Sequence, residues 1–245
     1  MKDRTVLVTG GSGGIGQEIV KRFVHDGYFT IIHYHSHAKR AEALQKELFT
    51  KGYENTMVVG ADLTNPKEID DLISTLEEKH IIVDILINNA GIKDDDRLED
   101  MSDQQFKKVI EINVSAPFML TKRIVPMMKN QRYGRIINIS SGLAQHGGIG
   151  KINYGASKAA IENMTKNLAK ELGPSGITVN TVAPGLIETE MTEDVTDKAK
   201  EEYISRVPIR RLVEAKDVAH ACAFFADERS SAISNQVIGV NGGLR

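Results

Sequence analysis

Thr9-Gly10-Gly11-Ser12-Gly13-Gly14-Ile15-Gly16 separates a short apolar run, Val6-Leu7-Val8, from a stretch with Ile15, Ile19, Val20 and Phe23 at helical spacing. A strand, a glycine-rich turn and a helix in this order decide how the chain folds. The helix N-terminus offers unpaired N–H groups and a partial positive charge, and glycines let a pyrophosphate approach the backbone. Two glycine registers fit. Gly11, Gly13 and Gly16 match G-x-G-x-x-G, and Gly10, Gly14 and Gly16 match T-G-x-x-x-G-x-G.

Outward from this turn, short β-branched runs alternate with longer helical patterns. Strands are expected at 5–9, 29–34, 56–60, 83–88, 135–140, 177–182 and 236–240. Helices are expected at 15–25, 38–50, up to about 79 after a Thr64 N-cap, 102–130, 153–172 and 214–226. Residues 189–206 are polar and weakly helical. Such alternation predicts an α/β fold: a doubly wound parallel sheet with helices on both faces. No linker or repeat interrupts it, so residues 1–245 read as a single domain. The charge-rich stretch 188–200 reads as a solvated face or a mobile lid.

The chain has 245 residues, 41% apolar and 26% charged, and 31 Lys plus Arg against 33 Asp plus Glu give a net charge of −2. This balance argues against a nucleic-acid binder, which carries a basic excess. Cys222 is the only cysteine, which excludes an internal disulfide and a Cys-based zinc site and suits a reducing compartment. No apolar run approaches the ~20 residues of a membrane span. Met1-Lys2-Asp3-Arg4 leads into a run that breaks at Gly10, too short for a signal-peptide core. A cytoplasmic protein with no membrane or nucleic-acid partner is expected.

Several side chains carry possible chemistry. Tyr154 and Lys158 are four apart and share one helix face, where an ammonium stabilises tyrosinate and lowers the tyrosine pKa. Ser141 lies just after the fifth strand, 13 positions before Tyr154, and its hydroxyl can donate to a carbonyl oxygen gaining charge. Ser140 competes for that role. Asn113 sits in an apolar helical pattern, where Asn is a poor choice, and Pro117 four residues on has no N–H for its carbonyl. The second strand ends Tyr34-His35-Ser36-His37, and the next acid is Glu42. Without a carboxylate there, a 2′-phosphate meets no repulsion, and His35, Ser36, Lys39 or Arg40 can contact it. His33, His35 and His37 alternate, but no Cys or fixed carboxylate accompanies them, so no metal site is expected. His146, five positions after Ser141, has two readings, a substrate-pocket residue or, favoured, a loop-surface residue.

The chain resembles the single-domain short-chain dehydrogenases/reductases over almost its whole length. The resemblance rests on Thr9–Gly16, Asp62-Leu63, Asn88-Asn89-Ala90-Gly91, Asn113, Ser141, Tyr154-x-x-x-Lys158, Pro184-Gly185 and Asn241-Gly242-Gly243. Within that family, 183–192 is most similar to the β-ketoacyl-(acyl-carrier-protein) reductases. The resemblance implies a Rossmann fold with seven strands, the Gly10/Gly14/Gly16 register and a homotetramer. It implies an oxidoreductase of fatty acid or polyketide biosynthesis that reduces a 3-oxoacyl thioester to the 3-hydroxyacyl thioester. Ser141, Tyr154, Lys158 and Asn113 are then catalytic, the Asn113 main-chain carbonyl holding a water in a proton relay to Lys158. The cofactor contacts implied are Gly10, Gly11, Ser12, Gly13, Gly14, Ile15, Gly16, His35, Ser36, Asp62 and Leu63 at the adenine side, Asn89, Ala90 and Gly91 near the ribose, Tyr154, Lys158, Pro184, Gly185, Ile187 and Thr189.

NADP(H) is expected over NAD(H), although relatives that prefer NADP often have a basic residue near Gly13 or Gly14, or Arg where His35 stands. Arg132 matches a carrier-protein contact of the family. Ser175 stands where a second Arg is common, and Lys129, Lys166 and Lys170 are possible substitutes. Residues 189–211 are expected to form a substrate lid with Met191, Val195 and Tyr203 on its apolar side. Asn235 replaces a usual Gly, and Asn is the least penalised substitute in a left-handed turn. Two other readings remain: an enzyme of the same fold acting on a sugar, polyol or other small alcohol, and a non-catalytic NADP-sensing protein.

Overall fold

The computed structural model describes residues 4–244. The first three residues of the chain, where the leader reading begins, lie outside them. One seven-stranded sheet, all parallel, runs in the order β3-β2-β1-β4-β5-β6-β7. The strands are β1 (Thr5–Val8), β2 (Phe29–Tyr34), β3 (Thr56–Gly60), β4 (Ile85–Asn88), β5 (Gly134–Ile139), β6 (Ile177–Pro184) and β7 (Val237–Val240). The order reverses between β1 and β4, the place where open α/β sheets form their binding crevice.

Side chains alternate across the strands, so the sheet feeds two cores. Val6 and Val8 of β1 with Ile85 and Ile87 of β4 pack under α1 (Gly14–His25), α2 (Ala38–Thr50) and α9 (Ala215–Ala226). Leu7 and Leu86 point to the other face, under α3 (Pro66–Glu78), α5 (Ala116–Gln131) and α7 (Ile152–Leu172). Burial on both faces explains why these strands read as continuous apolar runs. Cys222 is buried in the first core as a free thiol.

Two local expectations change. The cap of α3 is Asn65, whose side chain accepts from the Lys67 N–H, while Thr64 bonds Asp62. The stretch 102–130 is not one helix. A capping box of Ser102 and Gln105 opens α4 (Asp103–Ile110), a π-helical turn follows at Glu111–Ser115, and α5 resumes at Ala116. Pro117 in the first turn of α5 lacks the N–H that a regular helix would aim at Asn113, so a wider turn costs little there. The polar stretch after 189 resolves into a 3-10 turn, Glu190–Thr192, and a ten-residue helix, α8 (Asp197–Arg206). A short helix not foreseen, α6 (Leu143–His146), follows β5. Asn235 adopts φ 61°, the left-handed conformation expected of it. No described helix is long and apolar enough to cross a membrane.

Candidate active site

Because all strands are parallel, the segments that follow β1 to β6 emerge at the same edge of the sheet, and the site is assembled there. The glycine turn comes first. Gly10 and Gly14 have φ of 62° and 40°. A Cβ at Gly16 would lie 2.1 Å from the Gly10 carbonyl oxygen, so α1 starts directly against the turn. These constraints fall on Gly10, Gly14 and Gly16, whereas Gly13 has nothing within 4 Å of its missing side chain. An open backbone surface at a helix N-terminus suits a dinucleotide pyrophosphate.

Thr9 ties this turn to the β4 end. Its hydroxyl accepts from the N–H groups of Asn89 at 3.0 Å and Ala90 at 2.9 Å. The Asn89 amide returns bonds to the Thr9 and Gly10 carbonyls at 2.9 and 3.2 Å. His33 braces the turn from β2, a role the sequence reading missed. Its carbonyl accepts the Gly11 N–H at 2.9 Å and its Nδ1 the Gly10 N–H at 3.3 Å. Nε2 must then carry the ring proton, donated to the Ala61 carbonyl at 3.0 Å. Burial pushes the His33 pKa down to about 4 and keeps the ring neutral. The three alternating histidines therefore do not converge: His33 is buried, whereas His35 and His37 lie past the strand end in solvent. Among the described residues no group of side chains is placed to hold a metal ion.

The ends of β2 and β3, where an adenosine is expected, are polar and open. His35 Nε2 lies 3.8 Å from Asp62 Oδ2, and Ser36 meets His37 at 3.2 Å. Burial works against ionisation of Asp62, but hydrogen bonds from Thr64 and the nearby His35 hold its pKa below the ordinary value. Leu63 is buried behind it. Arg40, in the first turn of α2, is ion-paired with Glu190. The β2 end carries no acid, as expected.

Ser140 and Ser141 part company at the end of β5. Ser140 is buried and donates to Glu162 at 2.9 Å and the Lys158 carbonyl at 3.2 Å, away from the cleft. Ser141 faces the cleft beside Tyr154, and their hydroxyls are hydrogen-bonded. Lys158 is buried, donates to the Ile139 carbonyl at 2.9 Å, and lies 5.5 Å from the Tyr154 ring centre. Its burial brings the ammonium pKa down to about 8.

The tyrosine does not follow the expectation. Burial pushes its pKa up to about 12, against the Ser141 hydrogen bond and with the Asp95 charge adding to the rise. Desolvation of the phenolate dominates, and the Lys158 ammonium is directed at the Ile139 carbonyl instead. Tyr154 is therefore firmly a phenol in the protein alone.

Asn113 completes the group from the π-helical turn. Its Oδ1 accepts the Ile92 N–H at 2.8 Å, and its Nδ2 donates to the Ile92 carbonyl and the Ser157 hydroxyl at 2.9 and 3.0 Å. A Cβ on Gly91 would lie 3.1 Å from Asn113 Oδ1 and 3.4 Å from Lys158 Nζ, so the β4 loop closes on both. The Asn113 side chain is thus engaged at both its oxygen and its nitrogen.

A cleft of about 470 Å³ opens in front of Ser141 and Tyr154. Met191, Val195 and Tyr203 line it, as do Pro184 and Gly185. Exposed His146 also stands at this cleft, contrary to the loop-surface reading. Ile187 is buried, and the Thr189 side chain rests 3.3 Å from where a Cβ on Gly14 would stand, joining the segment after β6 to the glycine turn. Arg132 is not part of this site. It precedes β5, whereas Ser141 follows it, and a six-residue strand spans ~20 Å. Arg132 donates instead to the Pro174 carbonyl at 3.3 Å, next to Ser175.

The short chain dehydrogenase family model matches residues 4–200. The 3-oxoacyl-[acyl-carrier-protein] reductase FabG of Staphylococcus epidermidis (ATCC 35984) is 36% identical over 242 residues, 99% of each chain. The protein of the same name from Haemophilus influenzae is 39% identical, covering 100% of this chain and 99% of its own. That of Rickettsia typhi is 40% identical over 98% of this chain and 96% of its own. A crystal structure from Agrobacterium tumefaciens, described as a candidate gluconate dehydrogenase, superposes with a TM-score of 0.95 at 27% identity, covering 98% and 95% of the two chains. With the sheet order, the glycine turn and the Ser141-Tyr154-Lys158 group already in place, this chain is a member of the short-chain dehydrogenase family of oxidoreductases.

Proposed function

We propose that the protein reduces a 3-oxoacyl thioester, delivered on an acyl carrier protein, to the 3-hydroxyacyl thioester with NADPH. The nicotinamide supplies hydride when bound. The Ser141 hydroxyl donates to the substrate carbonyl oxygen, where negative charge develops. Tyr154 gives that oxygen its proton, and Lys158 with a water on the Asn113 carbonyl resupplies it. The observation that carries this reading is the placement of Ser141 and Tyr154 side by side at the wall of the cleft, with Lys158 Nζ 5.5 Å from the tyrosine ring centre. A protonated phenol there can donate to the more basic alkoxide that hydride transfer leaves. The full-length likeness to curated 3-oxoacyl-carrier reductases supports the substrate class.

NADPH is the cofactor of this reading, supported by a β2 end without a carboxylate, where His35, Ser36 and Arg40 follow in the chain. Residues 189–211 act as the substrate lid, with Met191, Val195 and Tyr203 toward the acyl chain. The protein works as a cytoplasmic homotetramer, for which exposed Phe106, Phe118 and Ile152 on α4, α5 and α7 offer apolar contact surface. The carrier docks at Arg132, away from the cleft of the same copy. A second reading, oxidation of a sugar acid or polyol, draws on the Agrobacterium neighbour. A cofactor sensor has less support, since all four catalytic positions are kept.

Initial rates with NADPH and NADH, on acetoacetyl thioesters free and carrier-bound and on a panel of polyols, test this choice. Faster consumption of NADPH with the thioesters is expected. Activity confined to polyols, or a preference for NADH, would overturn the substrate or the cofactor assignment respectively.

A further inference from the structure

Ser140, the serine that the catalytic group leaves out, ties α7 to the end of β5. Its hydroxyl donates to the Lys158 carbonyl at 3.2 Å and to Glu162 Oε1 at 2.9 Å. One proton is shared between these acceptors, but both belong to the same turn of α7, so that turn is held whichever takes it. Asn138, two residues earlier and therefore on the same face of the sheet, donates to Thr165 Oγ1 at 2.8 Å. Between them the Ile139 carbonyl accepts the Lys158 ammonium at 2.9 Å. Asn138, Ser140, Lys158 and Thr165 are all buried, so water does not stand in for these bonds. Three consecutive residues, 138 to 140, thus form a polar seam with α7.

The seam joins the two segments that carry the catalytic group. Ser141 follows Ser140 directly, and α7 carries Tyr154 and Lys158. A lysine ammonium stands on a flexible four-carbon stem, so a helix alone does not fix where it lies. Lys158 is held at both ends. Ser140 holds its main-chain carbonyl, and the carbonyl of the residue before Ser140 holds its ammonium. A misplacement of ~1 Å in a reacting group can cost ~100-fold in rate.

We infer that Ser140 is a positioning residue of the reaction: its hydroxyl fixes the Lys158 turn of α7 on the end of β5 and so sets the place of the ammonium beside Tyr154. This rests on the role given to Lys158 above and not on the choice of substrate.

The test compares Ser140→Thr with Ser140→Val, two side chains of one shape of which only the first keeps a hydroxyl. Initial rates are taken with whichever substrate of the panel above the wild type turns over fastest. Ser140→Val should lower kcat at least ~10-fold at little changed KM, the scale of one lost hydrogen bond, and Ser140→Thr should recover most of that loss. Ser140→Ala adds no bulk to the buried site and should lose as much as Ser140→Val. NADPH binding followed by fluorescence should be unchanged in all three. Thr165→Val breaks the seam two turns beyond Lys158; it should lower the thermal unfolding midpoint while leaving kcat within ~2-fold. Equal losses in Ser140→Thr and Ser140→Val, or full turnover in Ser140→Ala, overturn the proposal. A loss in Thr165→Val as large as in Ser140→Val, as docking of the whole helix would give, overturns it too. Lys158→Met is measured alongside: full turnover there would remove the role of Lys158 itself, a failure distinct from that of Ser140.

Discussion

The environment of Tyr154 shows what residue spacing can and cannot tell. Tyr154 and Lys158, four apart, do share a helix face, and Ser141 does stand beside the phenol. The direction of the tyrosine pKa was not legible, because it depends on burial and on Asp95, 59 positions away in the chain. Lys158 is the group brought near neutrality, at about pH 8, by burial. If its protonated form resupplies Tyr154, the reduction rate falls as pH rises past that value. Lys158→Met, which has no proton to give, should slow turnover and remove the falling limb, and an unmoved limb in a pH–rate profile would exclude Lys158 as its source. His33 gives a second prediction. Its folded pKa of about 4 lies below its ordinary 6.5, so the unfolded chain binds the extra proton between these values. Stability is therefore full above 6.5 and lost as pH falls toward 4, by on the order of 3 kcal/mol. Denaturant unfolding at several pH values should show a shallower acid slope in His33→Gln than in the wild type.

At the scale of elements, the strands and most helices were legible because both-face burial and helical periodicity leave plain marks on the sequence. The π-helical turn at Glu111–Ser115 was not, since one extra residue in a turn hardly changes the apolar pattern. Only Asn113 and Pro117, both unusual in a helix, hinted at it. Pro117→Ala supplies the missing N–H and favours a regular helix, which would rotate Asn113 away from Ile92 and Ser157. Activity should fall ~10-fold or more, the scale of losing one well-placed hydrogen bond. Thermal unfolding that stays close to wild type while activity falls would locate the effect in the turn; undiminished activity would contradict a role for it. The junction of β1 and α1 is stricter still. At Gly16 a Cβ would meet backbone at 2.1 Å, so Gly16→Ala must displace either α1 or the turn. NADPH binding, measured by fluorescence titration, should weaken at least ~10-fold, and unchanged binding would show that the turn does not hold the cofactor.

The whole molecule places chemistry at one edge of the sheet and Arg132 at the other. The alternation of elements carried the single-domain, doubly wound fold, but no spacing rule shows which end of a strand a residue occupies relative to a cleft built by other segments. Arg132→Ala should accordingly leave kcat/KM for a free acetoacetyl thioester unchanged and lower it for the carrier-bound form, mostly through slower association. An equal loss on both would mean that Arg132 acts through the fold. The central claim, a Tyr154 phenol that protonates a reduced 3-oxoacyl thioester, is tested most directly by NADPH consumption on acetoacetyl-carrier protein by the wild type and Tyr154→Phe. Turnover by the wild type, lost at least ~100-fold in the variant while NADPH still binds, is the expected result. Undiminished turnover in Tyr154→Phe, or none in the wild type, would contradict it.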